Sequence, residues 1–236
     1  MQNLENHPMR KRTLYGRRQA RPLKKRQQDL LENLLEKITF SLSKAEDCQL
    51  FQKNRVWMEI GFGGGEHLSQ QALQHPDITF IGCEPFLNGV GSLLTQIDDD
   101  HLENIWVHCD DACLLLSHIP PHSLEKVFLL FPDPWPKKRH YKRRFIQQAT
   151  IKEIHRVLKP NGEWRIATDH VDYYEWVLSQ FETPEAMALF KQQRQDVFER
   201  PVTEDWPETR YEQKAKLVGR KSAFFSFLAM QKSLVT

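Results

Sequence analysis

The sequence predicts an α/β fold: a mostly parallel sheet with helices on both faces, closed at one edge by an antiparallel strand. Three observations predict it. From Arg55 onward, apolar runs of strand length alternate with stretches of helix length, the pattern of strands joined by crossover helices. The run Val127–Phe131 is apolar without alternation, as a strand buried on both faces requires. Two late apolar stretches, near Asp196–Arg200 and Ser222–Leu228, have no convincing crossover helix between them and are expected to pair antiparallel at the sheet edge.

The elements follow in order. Residues 1 to about 23 show little apolar periodicity and are expected to be mobile without a partner. Leu30, Leu31, Leu34, Leu35 and Ile38 then recur at helical spacing, which predicts one amphipathic helix over 24–39. Residues 1–40 are therefore read as a basic extension with its helix, and 41–236 as a single domain. Strands are predicted at 55–60, 78–84, 104–109, 125–131 and 163–168, and helices near 66–75, 86–98, 111–117, 142–158 and 170–181. Trp57, Trp106 and Trp164 fall in strands and are expected in the core, whereas Trp135 and Tyr211 fall in loops.

Composition narrows the class. A chain of 236 residues, 40% hydrophobic and 27% charged, can bury a proper core. No apolar run approaches the roughly 18 residues that span a bilayer, and the basic N-terminus has no apolar signal region. Cys48, Cys83, Cys109 and Cys113 form no CxxC pair, so reduced thiols of a cytoplasmic protein are expected and a metal site is not. His67 and His140 have no partner at ligand spacing and are read as solvated or phosphate-contacting.

The net charge of +2 conceals segregation. Nine Lys/Arg and no acid lie between Arg10 and Arg26, and six more lie between Lys137 and Arg144, again without an acid. The other 18 bases face 31 acids. Two separate basic runs on an otherwise acidic chain point to a polyanion bound along its phosphates.

The stretch Val56–Glu66, VWMEIGFGGGE, runs a short apolar strand into a glycine turn and then a helix. Gly61, Gly63 and Gly65 stand at G-x-G-x-G, not at the G-x-G-x-x-G of a dinucleotide site, and Glu59 and Glu66 flank the turn. Carboxylates there repel a pyrophosphate but suit a ligand with an ammonium and a sulfonium, the two charges of S-adenosylmethionine. Acids recur at the ends of the later strands: Glu84, Asp110 with Asp111, Asp133 and Asp169. Ligands of open parallel sheets sit at those carboxyl ends. Glu84, 25 residues after Glu59, is spaced to accept from ribose hydroxyls, and Asp111 to accept from an adenine amino group. This is the outline of a class I S-adenosylmethionine-dependent methyltransferase, a Rossmann-like fold.

After the fourth strand comes Pro132-Asp133-Pro134-Trp135-Pro136 and then the basic run Lys137–Arg144. Alternate prolines stiffen a loop that holds an acid and an aromatic beside a phosphate-binding surface. This PDPWPKKRH string closely resembles that of the bacterial tRNA (guanine-N7-)-methyltransferases, the TrmB family. EIGFGGGEHL, GCEPF, the ATD at Ala167–Asp169, TRYE at Thr209–Glu212 and the arm Arg17–Lys25 fall in that family's order. Tyr211 stands where members more often have Phe, and Ala215 lies in a stretch that often carries glycine.

The resemblance implies that Glu59, Gly61, Gly63, Gly65, Glu84, Asp111 and Asp133 contact S-adenosylmethionine, with Asp133 catalytic. It places Lys137, Asp169, Thr209, Arg210, Tyr211 and Glu212 on the substrate side. Arg17, Arg18, Lys24, Lys25, Lys138, Arg139, Lys142 and Arg143 are expected on the surface that holds tRNA, and the target is expected to be guanine 46 of the variable loop. Guanine N7 carries its lone pair at neutral pH, so Asp133 is read as orienter and charge stabiliser, not obligatory base. A methyltransferase for proteins or small molecules, an inert nucleic-acid-binding module and a dehydrogenase are the competing readings. Monomer and homodimer both stay open.

Overall fold

The computed structural model describes residues 18–45, 48–194, 196–201, 206 and 208–231. Arg17 and the basic residues from Arg10 lie outside the described residues. The chain divides into two compact units, Met1–Pro120 and Pro121–Thr236.

The first unit opens with four helices, α1 (Lys25–Asn33), α2 (Leu35–Ile38), α3 (Leu42–Ala45) and α4 (Cys48–Lys53). It continues with β1 (Arg55–Ile60), α5 (Glu66–Gln74), β2 (Ile78–Cys83), α6 (Leu87–Asp100), β3 (Ile105–His108) and α7 (Ala112–Leu116). The single helix expected over 24–39 is interrupted at Leu34, and α3 and α4 were not expected. Both are too short to display a periodic apolar stripe. Within the unit the strands lie in the order β3-β2-β1 and pair in parallel, Ile60 opposite Cys83 and Cys83 opposite His108. Matched registers end all three strands at one level. Phe40, fully buried, donates its N–H to the Val107 carbonyl at 2.8 Å, so the segment after α2 is built into the unit.

Residues 18–23 are tied down as well. The Ala20 N–H donates to the Asn88 side chain at 3.0 Å, and that side chain donates to the Arg21 carbonyl at 2.9 Å. Arg26 pairs with Asp98 and Asp99 on α6, at 2.6 and 2.5 Å. The helix α1 approaches α6 at Gly91, where an added Cβ would press on Gln27 and Leu23 at 3.3 and 3.4 Å. Expected mobility therefore fails for 18–23: Asn88 supplies the donor and the acceptor that hold them.

The second unit contains β4 (Leu124–Leu130), a 3-10 helix (Lys138–Arg143), α8 (Gln148–Val157), β5 (Leu158–Thr168), α9 (Val171–Phe181), α10 (Pro184–Met187), β6 (Phe190–Gln192), α11 (Arg210–Leu217) and β7 (Ala223–Ala229). Its four strands lie in the order β4-β5-β7-β6, with β4 parallel to β5 and β7 antiparallel to both of its neighbours.

Two expectations fail in this unit. The helix predicted over 142–158 begins only at Gln148, because the Gln147 N–H is taken by the Thr150 hydroxyl at 2.9 Å and the chain before it is wound as a 3-10 turn. The strand beside β7 is Phe190–Gln192 and not 196–200. There the Asp196 carboxylate accepts from the N–H groups of Phe198 and Glu199, at 2.9 and 3.3 Å, and bends the chain out of a ladder. Val197 reaches β7 through its carbonyl, which accepts the Phe224 N–H at 2.6 Å.

Trp57 and Trp164 are core residues, as expected; Trp106 is half-buried, with the Lys44 ammonium 3.8 Å from its ring centre. No helix among the described residues is long and apolar enough to cross a membrane.

Candidate active site

The first unit builds a glycine cradle at the ends of its strands. Gly61, Gly63 and Gly65 all have positive φ, at 72°, 57° and 82°. The Gly61 N–H continues the ladder to the Cys83 carbonyl at 2.7 Å, and open space surrounds the position its Cβ would take. Gly63 lies under α6: a Cβ on Gly89 would run into its carbonyl oxygen. Only glycine at 89 permits that approach, and the positive φ at 63 favours glycine there.

Carboxylates ring this turn. Glu84 is buried, and its two oxygens accept from the Gly63 and Phe86 N–H groups, each at 2.9 Å. Those bonds lock the acid between the glycine turn and the start of α6. Asp111 caps α7, accepting the Cys113 N–H at 2.9 Å, while Asp110 pairs with Arg18 at 3.1 Å. Glu59 is buried and meets His67 Nδ1 at 2.7 Å. His67 is thus neither solvated nor phosphate-facing; the first turn of α5 carries it inward, eight residues beyond its partner. Burial pushes the Cys83 thiol well up and the Cys109 thiol to about 11, so neither is a ready nucleophile. Among the described residues no group of His, Cys, Asp and Glu could hold a metal ion.

The second unit presents Asp133 on the loop after β4. The Phe131 N–H donates to the Ala167 carbonyl at 2.7 Å, carrying the strand pairing into the loop. Phe131 and Trp135 then adopt φ of 53° and 43°, left-handed conformations uncommon for large residues, on either side of Asp133. Strained backbone of this kind costs about 1–3 kcal/mol per residue and concentrates at functional sites. Asp133 is exposed, and among the described residues its carboxylate has no hydrogen bond or ion pair. Surrounding protein nevertheless desolvates the carboxyl in part and raises its pKa from the ordinary value.

The TRYE segment divides by direction. Tyr211 lies in the first turn of α11, not in a loop, and its ring stacks on Phe131 with centroids 6.2 Å apart and planes 19° apart. Thr209 caps that helix by accepting the Glu212 N–H at 3.1 Å. Glu212 is buried and pairs with Arg200 at 2.8 Å and Lys216 at 3.2 Å. Thr209 and Glu212 therefore fix the helix, while Arg210 and Tyr211 stay exposed. Asp169 pairs with Arg220 at 3.0 Å.

The basic run is also divided. Lys137, Lys138, Arg139 and Lys142 are exposed; Arg143 lies over Trp135, 4.9 Å from its ring centre. Partial desolvation, with Arg143, Arg139, Lys137 and Lys142 around it, lowers the His140 pKa. Arg144 departs from the run altogether, being buried among aromatic rings. Lys24 and Lys25 are exposed, Lys25 pairing with Asp29 on its own helix at 2.8 Å.

A methyltransferase family model, Methyltransf_4, matches residues 53–224. A tRNA (guanine-N(7)-)-methyltransferase of Zymomonas mobilis is 43% identical over 222 residues, covering 93% of this chain and 95% of that protein. The chain belongs to the bacterial tRNA (guanine-N7-)-methyltransferase family. Another member, from Rhodospirillum rubrum, is 42% identical over 221 residues, covering 90% of this chain and 86% of its own.

Among solved structures, a mutant form of a 16S rRNA (adenine(1408)-N(1))-methyltransferase from Catenulisporales acidiphilia matches with a TM-score of 0.55. Its identity is 13%, and the match covers 82% of this chain and 94% of that one. This tRNA (guanine-N7-)-methyltransferase family member therefore has the class I S-adenosylmethionine-dependent methyltransferase fold, mostly parallel with an antiparallel closing edge. Two of the family member's site features were not read from the sequence: the Glu59–His67 pair and the buried Arg144. The i, i+8 spacing of the first carried no helix-face signal, and the second was hidden in a charge run.

Proposed function

We propose that this chain methylates N7 of a guanine in tRNA, at position 46 of the variable loop, using S-adenosylmethionine in the cytoplasm. The residues fit the cofactor. Gly61 leaves open space at the end of β1, and Glu84 is clamped beside the glycine turn by the Gly63 and Phe86 N–H groups. Glu59, Gly61, Gly63, Gly65, Glu84 and Asp111 would hold it. Bound there, it supplies a methyl group made electrophilic by its sulfonium.

The observation that carries the reading is Asp133: a partly desolvated carboxylate, with no hydrogen bond or ion pair among the described residues, held between two left-handed residues. Such a group can accept from the N1–H and amino group of a guanine and fix which edge faces the methyl. It also stabilises positive charge as it arrives on the ring. N7 needs no deprotonation, so rate comes chiefly from alignment and exclusion of water. Tyr211 and Arg210 are assigned to the substrate side with Lys137 and Asp169; Thr209 and Glu212 serve by setting the helix that carries Tyr211. Arg17, Arg18, Lys24, Lys25, Lys138, Arg139, Lys142 and Arg143 supply phosphate contacts, which offset the unstacking of the target base.

Incubation of unmodified tRNA with the protein and S-adenosylmethionine, followed by chain cleavage at N7-methylguanine, tests this. A single cleavage at guanine 46 is expected. Methylation elsewhere, or none, overturns the reading.

A further inference from the structure

We infer that Arg144 is a positioning residue for Asp133, an inference that rests on the role proposed for that aspartate. Six cations lie within Lys137–Arg144, but Arg144 is 1% exposed and cannot present its charge to a phosphate chain. Its Nε donates to the Pro134 carbonyl at 2.9 Å, and one terminal nitrogen donates to the Asp172 carbonyl at 3.1 Å, in the first turn of α9. The guanidinium lies 3.6 Å from the ring centre of Tyr141, 5.2 Å from that of Trp176 and 5.5 Å from that of Tyr173.

Pro134 follows Asp133 directly. The stretch from Phe131 to Trp135 is thus fixed at both ends: the Phe131 N–H binds the Ala167 carbonyl of the sheet, and the Pro134 carbonyl binds Arg144. The two residues in left-handed conformation lie at its margins. Proline at 132, 134 and 136 provides no N–H, so the loop has few backbone donors of its own with which to hold this path. A guanidinium suits the task because its planar fork holds two donors in a fixed geometry while its flat faces lie on rings; an ammonium lacks that plane. Burying the charge is costly without such partners, which makes a solubilising role a poor account of it.

Arg144→Lys, with the intact chain, tests the inference through two readings. In steady-state kinetics kcat is expected to fall about tenfold or more, as a small misplacement of the reacting groups would cause, with the KM for tRNA and its salt dependence unchanged. Independently of any activity, titration of the Asp133 carboxyl by carbon NMR is expected to shift downward toward the ordinary value as the loosened loop admits water. An unmoved titration together with unchanged kcat overturns the inference, as does a change confined to KM and salt slope, the mark of a phosphate contact. Should Arg144→Lys fail to fold, Tyr141→Leu decides, since it removes one ring face and leaves both hydrogen bonds: a downward shift supports the inference and none overturns it. If the wild-type protein methylates no tRNA, the functional reading fails, and the NMR titration still judges whether Arg144 sets the environment of Asp133.

Discussion

The His67 imidazole lies 2.7 Å from the Glu59 carboxylate, with both side chains withdrawn from solvent. The acid comes from β1 and the base from the first turn of α5, so the pair spans the glycine turn between them. Deleting one partner leaves a buried polar group unmatched, which costs about 1–3 kcal/mol. His67→Ala is expected to lose that much in urea unfolding and to weaken S-adenosylmethionine binding in calorimetry. His67→Gln, which keeps a donor, should lose less of both.

Asp133→Asn is expected to reduce kcat about a hundredfold and leave cofactor affinity nearly unchanged. Stability should move the other way. The native pKa of Asp133 is raised above 3.8, so its favourable contribution is present below that pH and is lost as pH rises through the native value. At neutral pH the ionised carboxylate is a burden on the fold. The variant should therefore melt at or slightly above the wild-type temperature at pH 7, with the difference vanishing near pH 3. The rate should fall on the acid side at a midpoint above 3.8.

Gly89→Ala should disable the cradle without touching a ligand. Its new methyl would strike the Gly63 carbonyl, a backbone atom with no rotamer to escape into. A loss of about 1–3 kcal/mol in stability is expected. Cofactor affinity should fall at least tenfold by calorimetry, with tRNA retention on filters largely kept.

Lys138→Ala and Arg139→Ala should each weaken tRNA binding and flatten its salt dependence by roughly 0.7–0.9 in logarithmic slope, one phosphate contact apiece. Removal of residues 1–17 should do the same more strongly, and should spare cofactor binding because Arg18 and the Asn88 clamp remain.

Strand positions were legible in the sequence because runs such as Ile78–Cys83 and Val127–Leu130 are largely apolar, and burial on two faces leaves few other ways to place them. The acids at their ends were legible for the same reason: once a strand is placed, so is its last residue. What escaped depends on which way a side chain turns. Glu212 and Tyr211 are neighbours in the chain, yet one is buried against Arg200 and the other stacks in the open on Phe131. Arg143 and Arg144 differ as sharply. Charge counting treats such neighbours alike, because desolvation is settled by tertiary packing. The edge strand was misplaced by the same kind of local competition, with the Asp196 carboxylate accepting the Phe198 and Glu199 N–H groups.

That edge has a bearing on how the protein behaves in a crowded solution. The outermost strand, β6, is three residues long, and its Lys191 and Gln192 are exposed. So brief a row of unpaired amides, with a cation in its middle, offers a second molecule little template for adding a strand. The long and strongly apolar β7 is thereby capped, and edge-to-edge aggregation through it is discouraged.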